Sequence, residues 1–375
     1  MVLPALRLAA LAAFAMLALC GELGAAGSTP RVAPSRPAQL KPTVRLAAIK
    51  VEGMDYFEVE DAVALLGLKP AGRDGRKFVF EDANSRLVIG EGRELLVDGL
   101  RVFLGNAVVT RRGKLYLSEV DFEACLAPIM APWLIEPKPR VPRIIVIDAG
   151  HGDPDDGMIN LRLKMKEKTF TLDVALRVKK LLETMDCKVV LTRKDDRGLS
   201  PIKLTDLRLR SQAANRAGAD LFVSIHFNAD RDAKTSGSEV YTFTRPFQRS
   251  DASAGFGQGD DSDPEAAPIN RFDPWNSLLA HTIQKEVRGE LKTSDRGIKT
   301  MHAGVLRGLN CPGVLVESVF LTNDTEARLV ATPAYRQQIA QAIANGIRNY
   351  TTKIESLRAK PAGGTSRAAT PSKLR

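Results

Sequence analysis

The run Ile144-Ile145-Val146-Ile147-Asp148-Ala149-Gly150-His151-Gly152 decides the fold of this chain. Four consecutive apolar residues, with no polar alternation, mark a strand covered on both faces, as in a parallel sheet. The chain downstream alternates in the same style. A helical pattern from Thr169 to Met185 sets Phe170, Val174, Val178, Leu181 and Leu182 on one face. Val189-Val190-Leu191, a helix near Thr205 to Ala217, and Leu221-Phe222-Val223-Ser224-Ile225 follow in turn. Val240-Tyr241-Thr242-Phe243 and Val314-Leu315-Val316 add two strands, and Pro333 to Tyr350 closes with a helix carrying Tyr335, Ile339, Ile343, Ile347 and Tyr350. The expected fold is therefore α/β, a mostly parallel sheet with helices on both faces.

Four polar residues stand where open α/β sheets place their sites, at the C-terminal ends of strands or just beyond. His151 follows the first strand between Gly150 and Gly152, and Glu167 begins the helix after it. His226 ends the strand Ser224-Ile225-His226, and Glu317 ends the strand Val314-Leu315-Val316-Glu317. An acid closing an apolar strand is costly to bury unless a cation or donor meets it. Two His and one Glu are a standard ligand set for catalytic zinc with a position left for water. A second Glu then serves as general acid/base. Each residue alone has a plainer reading: a packed structural His, or a Glu that complements the helix dipole. Their shared topological position favours the joint reading.

Moving outward, the segment Glu136-Pro137-Lys138-Pro139-Arg140-Val141-Pro142 reads as a stiff Pro-rich joint. Before it, residues 44–135 carry short strand signals at Phe78-Val79-Phe80, Arg86-Leu87-Val88-Ile89 and Glu94-Leu95-Leu96-Val97. Two stretches share one plan, a strand end running into an acidic-capped helix: Tyr56 to Leu68 and Leu115 to Leu126. Residues 27–43 read as a linker. Arg7, the apolar run Leu8 to Leu19 and the small residues Gly24-Ala25-Ala26-Gly27 form a secretory signal over residues 1–26, too short to span a bilayer. Cys20 closes that run, but Leu19 before it disfavours a lipid anchor. Beyond the closing helix, residues 353–375 hold six Lys and Arg against Glu355 alone and read as a basic disordered tail.

Composition fits this plan. Hydrophobic residues make up 44% and charged residues 26% of the 375, ordinary for a globular chain and unlike a fibrous or disordered one. The net charge of +10 favours anionic partners. Cys125, Cys187 and Cys311 are scattered and form neither a disulfide framework nor a zinc ribbon.

Taken together, the motifs resemble those of zinc-dependent N-acetylmuramoyl-L-alanine amidases of the amidase-3 type. The likeness rests on Ile147 to Gly152 with Asp155 and Gly157, on Lys166-Glu167-Lys168, on Leu191-Thr192-Arg193 and Leu207 to Arg210, on Ser224 to Ala229, and on Pro312 to Asn323. It runs in order from about Arg143 to Tyr350. The resemblance implies a catalytic domain over 143–352, with His151, Glu167 and His226 as Zn2+ ligands and Glu317 as the catalytic acid/base. It implies cleavage of the amide between N-acetylmuramic acid and L-alanine in peptidoglycan, by a periplasmic or cell-envelope protein. No nucleic-acid partner is expected; a monomer is, and the resemblance leaves room for an envelope activator protein. Two alternatives stand beside this reading. One is a zinc peptidase cutting within the stem peptide, since the same chemistry serves any amide. The other is a non-catalytic wall-binding protein, which the presence of all four residues disfavours.

The family pattern is broken at Asp153, where a second Gly is usual, and at Phe227, where a small residue is usual; both are expected to reshape the substrate groove. Asp148 and Asp155 are expected to fix their loop rather than orient a ligand. His281 is assigned to helix packing or surface, and His302 is held only as a minor candidate for the cleft. The Gly-, Ser- and Asp-rich stretch between Arg245 and Pro274 lacks an apolar helical face and is expected to form a flexible loop on the substrate side. The module at 44–135 resembles the N-terminal "stalk" domain of copper amine oxidases. It contains no His, so no copper is expected.

Overall fold

The computed structural model describes residues 36–248, 250–251 and 265–359. The expected signal peptide, most of the linker, the centre of the Gly-rich stretch and the tail from 360 lie outside the described residues. No helix among the described residues is long and apolar enough to cross a membrane.

The N-terminal region is built from eight strands: β1 (Ala48–Val51), β2 (Met54–Glu58), β3 (Lys69–Asp74), β4 (Lys77–Glu81), β5 (Arg86–Ile89), β6 (Gly92–Val97), β7 (Leu100–Arg111) and β8 (Lys114–Ser118). A short helix, α1 (Val59–Leu65), follows β2. The two stretches of like sequence pair with each other: Tyr56 meets Ser118 and Glu58 meets Tyr116 across antiparallel β2 and β8. After each strand the chain turns helical, and Phe57 packs edge-on against Phe122 at 5.8 Å between ring centroids. Ser118 caps the second helical turn, its Oγ accepting from Asp121 N at 3.1 Å.

The second region supplies β9 (Ile144–Ala149), α2 (Glu167–Leu182), β10 (Lys188–Leu191), α3 (Lys203–Ala217), β11 (Leu221–Asn228), β12 (Ser238–Phe243), α4 (Asp273–Leu291), β13 (Asp295–Met301), β14 (Gly313–Phe320) and α5 (Pro333–Arg358). Its strands run in the order β10-β9-β11-β14-β12-β13. All neighbouring pairs are parallel except β14 with β12. Burying Ile145, Val146 and Ile147 almost completely contributes roughly 1.5–3 kcal/mol per side chain, which stabilises this run as an interior strand. Helices α2, α4 and α5 cover one face, where Ile145, Ile147, Val223 and Val316 share a core. Helix α3 covers the other, where Val146, Phe222 and Leu315 share a second core.

The sheet does not stop at the Pro-rich segment. β13 continues into β7 through the parallel pair Ile298–Val102, and β6, β5, β4 and β3 extend it, so one 14-stranded sheet runs through both regions. Further ties cross the seam. Arg245, nearly fully buried, reaches the buried Asp121 at 3.4 Å. Ser277 Oγ donates to Ala124 O at 2.7 Å, and Trp275 Nε1 donates to Pro137 O at 3.1 Å.

Two expectations change here. Helix α5 runs eight residues past Tyr350 to Arg358 with Ile354 fully buried, so residues 353–358 are helix and not tail. The stretch after Arg245 does not leave on the substrate side. In the antiparallel register Glu239 lies level with Glu317, whereas Phe243 lies at the far end of the sheet, and Arg245 and Gln248 are buried against the N-terminal region. Arg245 and Gln248 at its start instead supply polar contacts to that seam.

Candidate active site

His151 and His226 leave the C-terminal ends of adjacent parallel strands, β9 and β11, and Glu167 opens α2 beneath them. Their ligand-type atoms all lie within 4.8 Å of one another. Among the described residues this is the single cluster of three such side chains. His151 Nε2 lies 3.0 Å from Glu167 Oε2, and His226 Nδ1 lies 3.0 Å from Glu167 Oε1. The Glu167 carboxylate also accepts from Met158 N at 2.8 Å and Phe227 N at 3.0 Å. It is therefore far more than a helix-dipole partner.

Glycine makes this convergence possible. A Cβ at Gly150 would lie 2.4 Å from the His226 ring. Gly157, at φ +67°, is in the left-handed region, and a Cβ there would lie 2.6 Å from Glu167 Oε2. His151 itself adopts φ 62°. That uncommon conformation is held by Arg210, whose guanidinium donates to Ala149 O at 2.7 Å and His151 O at 2.5 Å. Arg193 ties the same loop through Ala149 O, Gly150 O and Lys168 O.

Electrostatics follow the geometry. Burial by itself would lower His151, but Glu167 and Asp155 reverse the effect and push it up to about 9. Burial opposes the ionised form of Glu167, yet the two imidazoles hold it well below the usual carboxylate range. Burial is the leading influence on His226 and lowers it. Two imidazole nitrogens and one carboxylate converge on one point. This donor set fits a divalent metal of the zinc type.

Asp155 corrects its expected role. It accepts from His151 Nδ1 at 2.9 Å, leaving Nε2 to face Glu167, and so orients the His151 ring as well as holding Gly157 N at 3.1 Å. Lys203 pairs with the same Oδ2 that His151 approaches. Asp148 behaves as expected: it accepts from Arg210, Thr192 and Ser224 and touches neither histidine. Asp153 is exposed and pairs with Lys168, while Phe227 is buried in the core. His281 is buried in α4, and His302 packs beside Phe243 at 5.5 Å between centroids, away from the cluster.

Glu317 stands outside the ligand set but directly across from His226 in the β11–β14 register. Its Oε2 is buried without a hydrogen-bond partner. Burial, then the Glu167 and Glu239 carboxylates, raises its proton affinity well above that of an ordinary glutamate. The mouth beside the cluster is lined by Asp155, Lys203, Asp206, Leu207, Arg210 and Val305. Of these, Lys203 and Asp206 carry no separate sequence signal, although Asp206 and Arg210 form an i,i+4 pair that a helical reading of this stretch makes visible.

Fold and site define an α/β protein with a two-histidine, one-glutamate centre at the carboxyl ends of parallel strands. The N-acetylmuramoyl-L-alanine amidase profile of the amidase-3 type matches residues 145–349, more than half of the 375. The chain belongs to this family of N-acetylmuramoyl-L-alanine amidases, peptidoglycan hydrolases of the cell wall. It is 31% identical over 231 residues to the germination-specific N-acetylmuramoyl-L-alanine amidase of Bacillus subtilis (strain 168), covering 59% of this chain and 84% of that one. It is 32% identical to the amidase AmiA of Escherichia coli (strain K12), over 56% of this chain and 76% of the relative. A crystal structure of an N-acetylmuramoyl-L-alanine amidase from Clostridium difficile 630 aligns with 57% of this chain and 98% of its own, at 28% identity and a TM-score of 0.46.

Proposed function

We propose that this protein is a zinc-dependent N-acetylmuramoyl-L-alanine amidase of the cell envelope, with His151, Glu167 and His226 holding Zn2+ and Glu317 acting as general acid/base. Bound zinc supplies Lewis-acid polarisation of the amide carbonyl and a water of lowered pKa. Asp155 fixes the His151 tautomer, and the backbone donors of Met158 and Phe227 hold Glu167 in place. Glu317 takes the proton released as water adds to the lactyl carbonyl carbon and returns it to the alanine nitrogen as the C–N bond breaks. The observation that carries this reading is the placement of Glu317: in register with His226, yet outside the cluster and with an unpartnered carboxyl oxygen.

Two variants test the division of roles. His226→Ala loses bound zinc and activity together, whereas Glu317→Ala keeps zinc and fold but loses on the order of 10² to 10⁴ in turnover on soluble muropeptides. Loss of zinc from Glu317→Ala makes it a ligand instead. Mass spectrometry of the products separates the amidase from a peptidase: the amidase frees an L-alanine amino terminus. The secretory pattern at residues 1–26 supports export, which fractionation of the tagged protein checks. The paired strand–helix repeats at Tyr56 and Tyr116 support kinship of the N-terminal module with the amine-oxidase stalk domain.

A further inference from the structure

The sheet register places three functional-looking side chains in a row on one face. His226 on β11 pairs with Glu317 on β14, and Glu317 pairs with Glu239 on β12. Neighbouring strands are about 4.8 Å apart, so two carboxylates stand side by side across one strand gap. Like charges directly opposite each other destabilise a sheet, so this placement calls for an explanation.

Glu239 is fully buried and saturated with donors. Lys299 Nζ lies 2.6 Å and Arg296 Nε 3.2 Å from its Oε2, Tyr241 OH donates to its Oε1 at 2.8 Å, and Asn228 Nδ2 donates there too. Glu317, its neighbour, has a buried oxygen with no partner at all. Arg296 is additionally anchored over the Phe320 ring at 4.9 Å, and Lys299 over Phe103 of β7 at 5.5 Å. The cations of this face are thus gathered onto the carboxylate that does not face the metal ligands.

We infer that Glu239 is a positioning residue that captures Lys299 and so keeps Glu317 unpaired and available for proton transfer. This rests on the reading of Glu317 as the acid/base. Without the Glu239 charge, the Lys299 ammonium is left in a buried setting with no carboxylate, a costly state. Glu317 is the adjacent acid and takes it. An ion-paired Glu317 has its oxygens occupied by ammonium hydrogens, and the attacking water loses its proton acceptor.

The test uses the full chain loaded with zinc. Glu239→Gln, close to isosteric, is expected to keep its zinc content and cooperative melting, hold KM, and lose on the order of 10² in kcat on muropeptides. Its crystal structure is expected to show Lys299 Nζ at ion-pair distance from Glu317. The double variant Glu239→Gln with Lys299→Met removes the competing cation and is expected to recover most of the lost kcat. Glu239→Gln with unchanged kcat, or a folded double variant as slow as the single one, overturns the inference. Should the single variant not fold, kcat of the folded double variant decides alone. Glu317→Gln in the same assay separates the two layers. If Glu317→Gln is active, the role of Glu317 itself fails; if it is inactive while Glu239→Gln is fully active, only the role of Glu239 fails.

Discussion

At the seam between the two regions, the buried carboxylate of Asp121 accepts from Gly105 N and Asn106 N at 2.8 Å each, from Ser118 Oγ at 2.6 Å, and faces the Arg245 guanidinium. At the active site, the buried Glu317 faces two other acids and has an oxygen with no donor. One acid lies on a helical turn and the other on a strand; the first is held by several donors and the second has an oxygen with none. A satisfied buried network fixes structure, and an unpartnered buried carboxyl oxygen across from His226 is what a proton-transfer group requires. The N-terminal region is therefore integral to the fold without offering any ligand to the centre.

The hardest way to break this comparison is to remove the N-terminal region. A protein beginning near Arg140 exposes the β13 edge, strips partners from α4, which is buried at every position from Asp273 to Gln284, and leaves Arg245 without Asp121. It is expected to show no cooperative thermal transition and no turnover even on soluble muropeptides. Unchanged melting and turnover after truncation establish two independent regions instead. Arg245→Met attacks the seam at one point. It leaves Asp121 buried without its cation and is expected to lose about 3–5 kcal/mol of stability in denaturant titration, while kcat per folded molecule holds. A drop in kcat with no loss of stability reverses the assignment.

Asp155→Asn sharpens the other side. Weakening the orientation of His151 is expected to reduce zinc affinity about 10- to 100-fold in competition with a chelator, with little change in melting of the metal-free protein. The smallest effect concerns Glu123, which burial and then Glu119 push up to about 7. The folded state binds this proton more tightly than the unfolded chain. Its contribution is complete below about pH 4.5 and is lost as the pH rises through about 7. Glu123→Gln is expected to flatten the fall in melting temperature over that interval, and an identical profile refutes the assignment.

The convergence of His151, Glu167 and His226 was legible because such residues interrupt strong local patterns. An apolar strand that ends in Gly150-His151-Gly152, or in Glu317, announces itself without tertiary information. The seam carries no such signal. Helix α4 contains Trp275, Asn276, Ser277, Leu278, His281 and Thr282 on all sides, so it has no amphipathic stripe to recognise; all of these are buried. Strand β13 reads as a charged loop in Asp295-Arg296-Gly297-Ile298-Lys299, and only the Glu239 partner makes a buried Lys299 intelligible. β7 is twelve residues long but carries Gly105 and Asn106 at its middle, residues depleted in strands; their amides are held by Asp121. In sequence Asp155 reads as fixing its loop only, because a carboxylate that orients a histidine and one that fixes a loop look alike there.

The Val102–Ile298 pairing has a temporal consequence. The chain is made from its N-terminus, so β7 emerges early while its partner β13 follows 196 positions later, the difference between those two residue numbers. Until then β7 presents a raw row of amide and carbonyl groups, the kind of edge that invites pairing with a neighbouring chain. Contacts of such separation also slow the search for the native topology. Assembly of the molecule therefore waits on one of its last strands, and the window before β13 arrives is when aggregation competes with folding.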